Sequence, residues 1–399
     1  PLDPEPRLLM GPGPVDVYPR VLGAMSSSML GQFDPLFTEY MNEVMHLYRQ
    51  VYRTANHWTL LVNGTARAGI EACLNSLISP GDKVLIPIFG RFGHLLTEIA
   101  KRSGADIVNL QAEWGTVFTA DQLADAIQQY KPQILALVHG DTSTTMAQPL
   151  SEIGPLCRKL GVITYVDATA TLGGMRLDSD SWCLDAVSAG LQKCMSGPPG
   201  TSPVTLSDRA VERIQKRKHV EAGIRSADSD DGDGMVIQSN YLDLAMLMDY
   251  WSPRRLNLHT ESTSMLYGAR ECARVVLQEG LEAGFYRHKL ASTALRNGLT
   301  AMGLKLFGDP KNRMDNVTGI LVPPEIADES LVRKSMLEDF GIEIGTSFGP
   351  LQGKIWRIGT MGYVCRKANV LRCLSTVSYT HLRAHETRHE LVCRLLLEK

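Results

Sequence analysis

Between residues 58 and 206 the chain alternates short apolar runs with amphipathic stretches, and few folds accommodate that rhythm. The apolar runs fall at 59–62, 84–88, 107–110, 134–138, 162–166, 186–189 and 204–206. They are shorter than an ordinary helix, and most carry the Val and Ile of buried strands. Between them, 68–77, 94–102, 120–129 and 150–160 place apolar residues three and four apart, as helices with one buried face do. Strand and helix in alternation predict an α/β unit, a mostly parallel sheet with helices on both faces. Sites in such sheets lie beyond the carboxyl ends of the strands.

A chain of 399 residues exceeds what one hydrophobic core usually serves. The expected divisions are an arm over 1–20, a large domain over 21–268, a smaller C-terminal α+β domain over 269–376 and an anomalous tail over 377–399. Strands of the smaller domain are predicted at 304–307, 317–322, 342–344 and 355–358. The net charge of −2 provides no field for nucleic acid or an anionic membrane surface. No apolar run reaches the length of a membrane span, so neither partner is expected. Eight cysteines without paired spacing suit small core residues in a reducing, cytoplasmic compartment.

Two stretches imitate metal sites. In 226–234 the aspartates suggest a calcium loop, but Asp233 stands where the turn needs Gly, and Ser239 stands where the closing Glu belongs. His385-Glu386-Thr387-Arg388-His389 spells a zinc-protease motif close to the chain end, with no third ligand downstream. The first reads as an exposed acidic loop and the second as part of a non-native tail. No metal is expected.

Four other places offer groups suited to one anionic, aromatic cofactor. Asn63-Gly64-Thr65-Ala66-Arg67 follows a strand and opens a helix, where free N–H groups and the positive helix end favour a phosphate. Asp167 ends the strand at 162–166, where a carboxylate is costly unless paired. Taken alone it reads equally as a helix cap. His139-Gly140-Asp141-Thr142-Ser143-Thr144 brings hydroxyls to another strand end. Gln192 and Lys193 come one strand later, before a rigid Gly197-Pro198-Pro199-Gly200 turn. A strand-end Asp and a strand-end Lys are what pyridoxal 5′-phosphate needs: the amine condenses with its aldehyde, and the carboxylate keeps its ring nitrogen protonated.

These motifs, with Gly11-Pro12-Gly13-Pro14 and Trp356-Arg357-Ile358-Gly359, resemble the class V aminotransferases of the fold-type-I pyridoxal-phosphate enzymes over about nine-tenths of the chain. The resemblance implies a homodimer with shared active sites. It implies Lys193 as the catalytic Schiff-base lysine and proton shuttle, Asp167 on the ring nitrogen and Phe92 stacked on the ring. It gives Thr65, Ala66, Arg67 and Gln192 the phosphate, with Thr260 reaching it from the partner subunit, and Thr144 a place near the ring hydroxyl. Arg357 takes the substrate carboxylate.

Gln32 and Asn257 depart from the alanine–glyoxylate pattern, where a small residue and a tyrosine are usual. Two amides suit a polar donor. That pattern resembles the ureidoglycine–glyoxylate aminotransferases of purine catabolism, and it implies (S)-ureidoglycine as donor and glyoxylate as acceptor, giving oxalurate and glycine. The alternatives are an alanine– or serine–glyoxylate aminotransferase and, from another class, a cysteine desulfurase-like lyase. The last needs a mobile cysteine, and Cys365 and Cys373 stand in the wrong context for it.

Overall fold

The computed structural model describes residues 3–386, with side chains through Thr380. Seven strands form the main sheet: β1 (Trp58–Gly64), β2 (Lys83–Ile88), β3 (Asp106–Gln111), β4 (Ile134–Val138), β5 (Ile163–Asp167), β6 (Ala186–Ser188) and β7 (Gly200–Leu206). Their spatial order is β1-β7-β6-β5-β4-β2-β3. Every neighbouring pair is parallel except those involving β7, which runs antiparallel to both β1 and β6. All seven predicted strands are present within two residues at either end, apart from β7, which begins four residues earlier. The chain departs from β4 to one side through β5 and β6 and to the other through β2 and β3. Strand ends diverge at such a switch point and leave a crevice.

Helices α1 (Pro35–Tyr52), α2 (Ala66–Leu77), α3 (Arg91–Arg102), α4 (Ala120–Tyr130) and α5 (Ile153–Lys159) join or cover these strands. The start of α1 is set locally. Asp34 accepts the Leu36 amide at 2.9 Å, Pro35 supplies a preset φ, and Arg53 ends the helix in the left-handed region. Phe37, Met41, Val44, Tyr48 and Val51 then line one buried face. Burying side chains of this size contributes roughly 1.5–3 kcal/mol each, which far exceeds the cap.

A second core gathers Leu295, Leu299, Met314, Val317, Ile320, Trp356 and Ile358. It lies under a small antiparallel sheet of β8 (Val317–Leu321), β9 (Gly345–Thr346) and β10 (Ile355–Gly359), with β10 in the middle. The predicted strand at 304–307 is not one: only an isolated bridge between Leu306 and Ile320 forms there. Ile342–Glu343 pairs instead with Leu8–Leu9 from the amino-terminal arm. Leu8, Met10 and Val15 are buried in the second core, so the arm packs with the smaller unit.

The helix α6 (Thr263–Glu279) buries Leu266, Cys272 and Val276 in the first core. We therefore place the division between units at Gly280, before α7 (Leu281–Ala301), rather than at 268. The last helix, α8 (Lys367–Glu386), runs through the expected start of the tail, with Val377 and Thr380 buried. Residues 387–399, including most of the zinc-like motif, lie outside the described residues. In the acidic loop, Asp230 pairs with Lys218 at 3.0 Å and Asp231 with Arg225 at 2.5 Å, so protein cations hold these carboxylates.

Candidate active site

The crevice beyond β4, β5 and β6 is a cavity lined by Thr65, Ala66, Arg67, Phe92, Asp167, Gln192 and Lys193. Seven predicted cofactor residues, separated by up to 128 positions, thus meet in one place.

The phosphate cradle is built by a strand-to-helix turn. Gly64 ends β1 with φ +120°, and a Cβ there would lie 2.6 Å from the Ala68 Cβ, so only glycine fits. The turn exposes the start of α2. Thr65 is its N-cap and makes no capping bond, which leaves the hydroxyl free to point into the cavity with the first-turn amides. Gln192 comes from the opposite wall, and its buried Oε1 has no partner among the described residues.

Asp167 terminates β5 and is 4% exposed. Its Oδ1 accepts the Thr169 amide at 2.9 Å, a local Asx turn, and the residue lines the cavity. Burial is the main cause of a raised carboxyl pKa; the Thr169 bonds and the more distant Lys193 act in the opposite sense. A desolvated carboxylate on a cavity wall needs a cation or an N–H donor, and a protonated pyridine nitrogen is one.

Lys193 follows β6 on a tight turn, and its Nζ donates to the carbonyl of Pro12 in the amino-terminal arm. Gly13, φ +98°, lies against the same side chain; a Cβ there would stand 2.4 Å from Nζ. The arm therefore closes over the lysine. Burial, and then the nearby Arg357 cation, bring the amine down to about 8, against the smaller opposing pulls of Cys194 and Asp167. Such an amine is a far better nucleophile at neutral pH than one near 10.5.

Arg357 lies on β10, buried, with Nε on the Thr346 carbonyl at 2.6 Å and Nη1 on that of Thr142 at 2.8 Å. Two of its five N–H groups are spent on holding it, one on Nε and one on Nη1, which leaves three for a carboxylate. Asp141, fully buried, accepts Phe92 N at 2.9 Å and Ser143 N at 2.9 Å, locking the Phe92 turn to the turn that holds Arg357.

Five of the expected site residues, Thr144, Thr260, Gln32, Asn257 and Arg357, do not line this cavity. The Thr144 hydroxyl turns back to the Asp141 carbonyl at 3.4 Å, and Thr142 takes its place on the cavity wall. Thr260 is exposed and does not line the cavity of its own chain. Gln32 and Asn257 do not line it either, yet they meet: Gln32 Nε2 donates to Asn257 Oδ1 at 3.3 Å across 225 positions. Sequence reasoning missed Thr142, Thr169 and the arm's contact at Pro12 and Gly13. The first two were legible as hydroxyls beside chosen residues; the last depended on how the arm folds back.

The residues present fit pyridoxal 5′-phosphate: a desolvated amine, a buried carboxylate on the cavity wall, a ring lining the same cavity, and a helix start with an unused hydroxyl. These features define a fold-type-I pyridoxal-phosphate enzyme, and the chain belongs to the class V aminotransferase family, which it matches over residues 15–351. It is 52% identical over 379 residues to the (S)-ureidoglycine–glyoxylate transaminase of Bacillus subtilis, covering 94% of this chain and 91% of that one. It is 33% identical over 374 residues to the alanine–glyoxylate aminotransferase of Callithrix jacchus, covering 93% and 86%. Among solved structures, the ureidoglycine–glyoxylate aminotransferase of Bacillus subtilis superposes with a TM-score of 0.91 at 50% identity, over 96% of this chain and 95% of that one. An alanine–glyoxylate aminotransferase from Nostoc sp. gives 0.89 at 36% identity, over 95% and 96%.

Proposed function

We propose that this protein is a pyridoxal-phosphate transaminase that moves the amino group of (S)-ureidoglycine to glyoxylate, forming oxalurate and glycine in purine catabolism. One observation carries the transaminase chemistry: Lys193, Asp167 and the Thr65–Arg67 helix start line a single cavity. The donor is supported by 52% identity to a ureidoglycine enzyme against 33% to an alanine enzyme, and by the Gln32–Asn257 amide pair.

When bound, the cofactor supplies a reactive aldehyde carbon and an electron-withdrawing ring. The chain's own residues do the rest. Thr65, Ala66, Arg67 and Gln192 would hold the phosphate with N–H and hydroxyl donors, Phe92 would lie against the ring, and Asp167 would keep a proton on the ring nitrogen. Arg357 fixes the substrate carboxylate, which sets the Cα hydrogen toward Lys193. Lys193 Nζ, as the free base, takes that proton.

We infer that the working unit is a homodimer, with Thr260, Gln32 and Asn257 serving the partner's cavity. Tyr250 Oη, Trp251 Nε1 and Arg255 Nε are buried without partners among the described residues. Each such group costs about 1–3 kcal/mol, and a second copy would supply what they lack. A cytoplasmic location suits the seven described cysteines, all free thiols.

The test is a set of half-reactions. The holoenzyme is mixed with ureidoglycine, alanine or serine, the cofactor spectrum is followed, and glyoxylate is then added. Ureidoglycine is expected to convert the cofactor fastest. Faster conversion by alanine would remove the donor assignment and leave the transaminase.

A further inference from the structure

Beside Arg357 stands a second guanidinium to which none of the roles above is attached. Arg91 is the first residue of α3, immediately before Phe92, and it is exposed. Its side chain makes only ring contacts among the described residues, 4.5 Å from the centre of the Phe348 ring and 5.4 Å from that of Phe92. Arg357 approaches the same Phe348 ring, at 5.1 Å. Two like charges therefore share one aromatic side chain, itself 41% exposed. They also feel each other, since Arg91 is among the groups that disfavour the charge on Arg357.

The position of Arg91 is built rather than incidental. Its amide donates to Ser143 Oγ at 2.9 Å, and the Ser347 hydroxyl donates to the Ser143 carbonyl at 2.5 Å. The turn at 141–143 thus ties down Arg91, the loop carrying Phe348, and, through Thr142, Arg357 itself. Asp141 is the carboxylate that offsets the Arg357 charge, and it is fully buried and occupied with amides and a hydroxyl. It does not neutralise an exposed guanidinium. Arg91 itself has no ion pair among the described residues, like charges brought together are destabilising, and a bound carboxylate relieves them.

We propose that Arg91 is a substrate-capturing residue: its guanidinium meets the anionic substrate at the edge of the cavity and passes it across Phe348 to Arg357. This rests on the transaminase reading, in which donor and acceptor are both carboxylates. Exposed charge of this kind raises the rate of productive encounter and adds little to the chemical step. Phe348 keeps the two cations on an apolar, polarisable surface, where a carboxylate can move from one to the other without full rehydration.

The experiment compares the unmodified holoenzyme with Arg91→Gln and Arg91→Lys, varying glyoxylate at low and at high salt. Arg91→Gln is expected to lower kcat/KM for glyoxylate about tenfold at low salt with kcat held within about twofold. The gap should close by about 0.3 M salt, where screening is strong, and Arg91→Lys should keep most of the activity. The side chain is exposed, so loss of fold is not expected, and thermal melting of each variant checks it. An unchanged kcat/KM at low salt, a gap indifferent to salt, or a fall in kcat matching that in kcat/KM overturns the proposal. Absence of turnover in the unmodified enzyme with every donor would sink the transaminase reading as well.

Discussion

The Lys193 cavity and the Gln32–Asn257 region are finished to different degrees. Around Lys193 the reacting groups are held, Nζ by the arm, Asp167 by Thr169, Arg357 by two carbonyls and Phe92 by Asp141, while Gln192 Oε1 is left unpaired among the described residues. Around Asn257 the reverse is true. Gln32 Oε1 is buried and unpaired, Thr260 is exposed, and Tyr250 Oη, Trp251 Nε1 and Arg255 Nε have no partner among the described residues. The chemical half of the site is preorganised within one chain, whereas the Gln32–Asn257 pair proposed to choose the donor stands outside that cavity. Reaction type and substrate choice are thus separable here, and variants should divide accordingly.

The largest effect belongs to the finished region. Lys193→Ala should abolish the visible absorbance of the holoenzyme and reduce turnover at least about 10³-fold, the scale of losing a positioned base. A variant that keeps colour and turnover would remove Lys193 from its role. Asp167→Asn should bind cofactor but lower kcat about 100-fold, because the amide cannot hold the ring proton by charge. Single-turnover spectra separate that from a binding defect.

Asn257→Tyr tests the unfinished region. It should lower kcat/KM for ureidoglycine about tenfold, as leaving a buried polar group unpaired does, while alanine is unaffected or improved. Equal losses with both donors would mean that the region does not discriminate.

The smallest effect is a shift in pH. Lys193 must be unprotonated to take up cofactor, and its amine lies at about 8. Uptake of pyridoxal phosphate by the cofactor-free protein should therefore quicken with rising pH and level off above about 8. The Arg357 cation helps to hold that pKa down, so Arg357→Met should move the plateau to higher pH. A shift to lower pH, or none, would show that the two charges do not interact.

Much of the fold was legible. Alternating apolar runs identified all seven main strands, because buried parallel strands cannot disguise their hydrophobic continuity. The smaller unit was read less well. Its strands are short, and the run at 304–307 is apolar without being paired along its length; a pairing partner is a tertiary fact. The core that receives α6 was not legible for a similar reason, since amphipathic spacing shows that the helix has a buried face but not what it packs against.

The amino-acid sequence by itself determined which chemistry is available: an amine, a carboxylate and a helix start, each at the end of an apolar run, plus an arginine and two amides far away. Local forces suffice for that, because caps, turns and strand ends depend on neighbours in the chain. Only the tertiary structure decided that the arm folds over Lys193, that Thr142 rather than Thr144 faces the cavity, that Gln32 meets Asn257, and that Arg91 stands beside Arg357 over one ring. Those contacts join segments up to 266 positions apart. They arise from packing and desolvation, which no stretch of residues encodes alone.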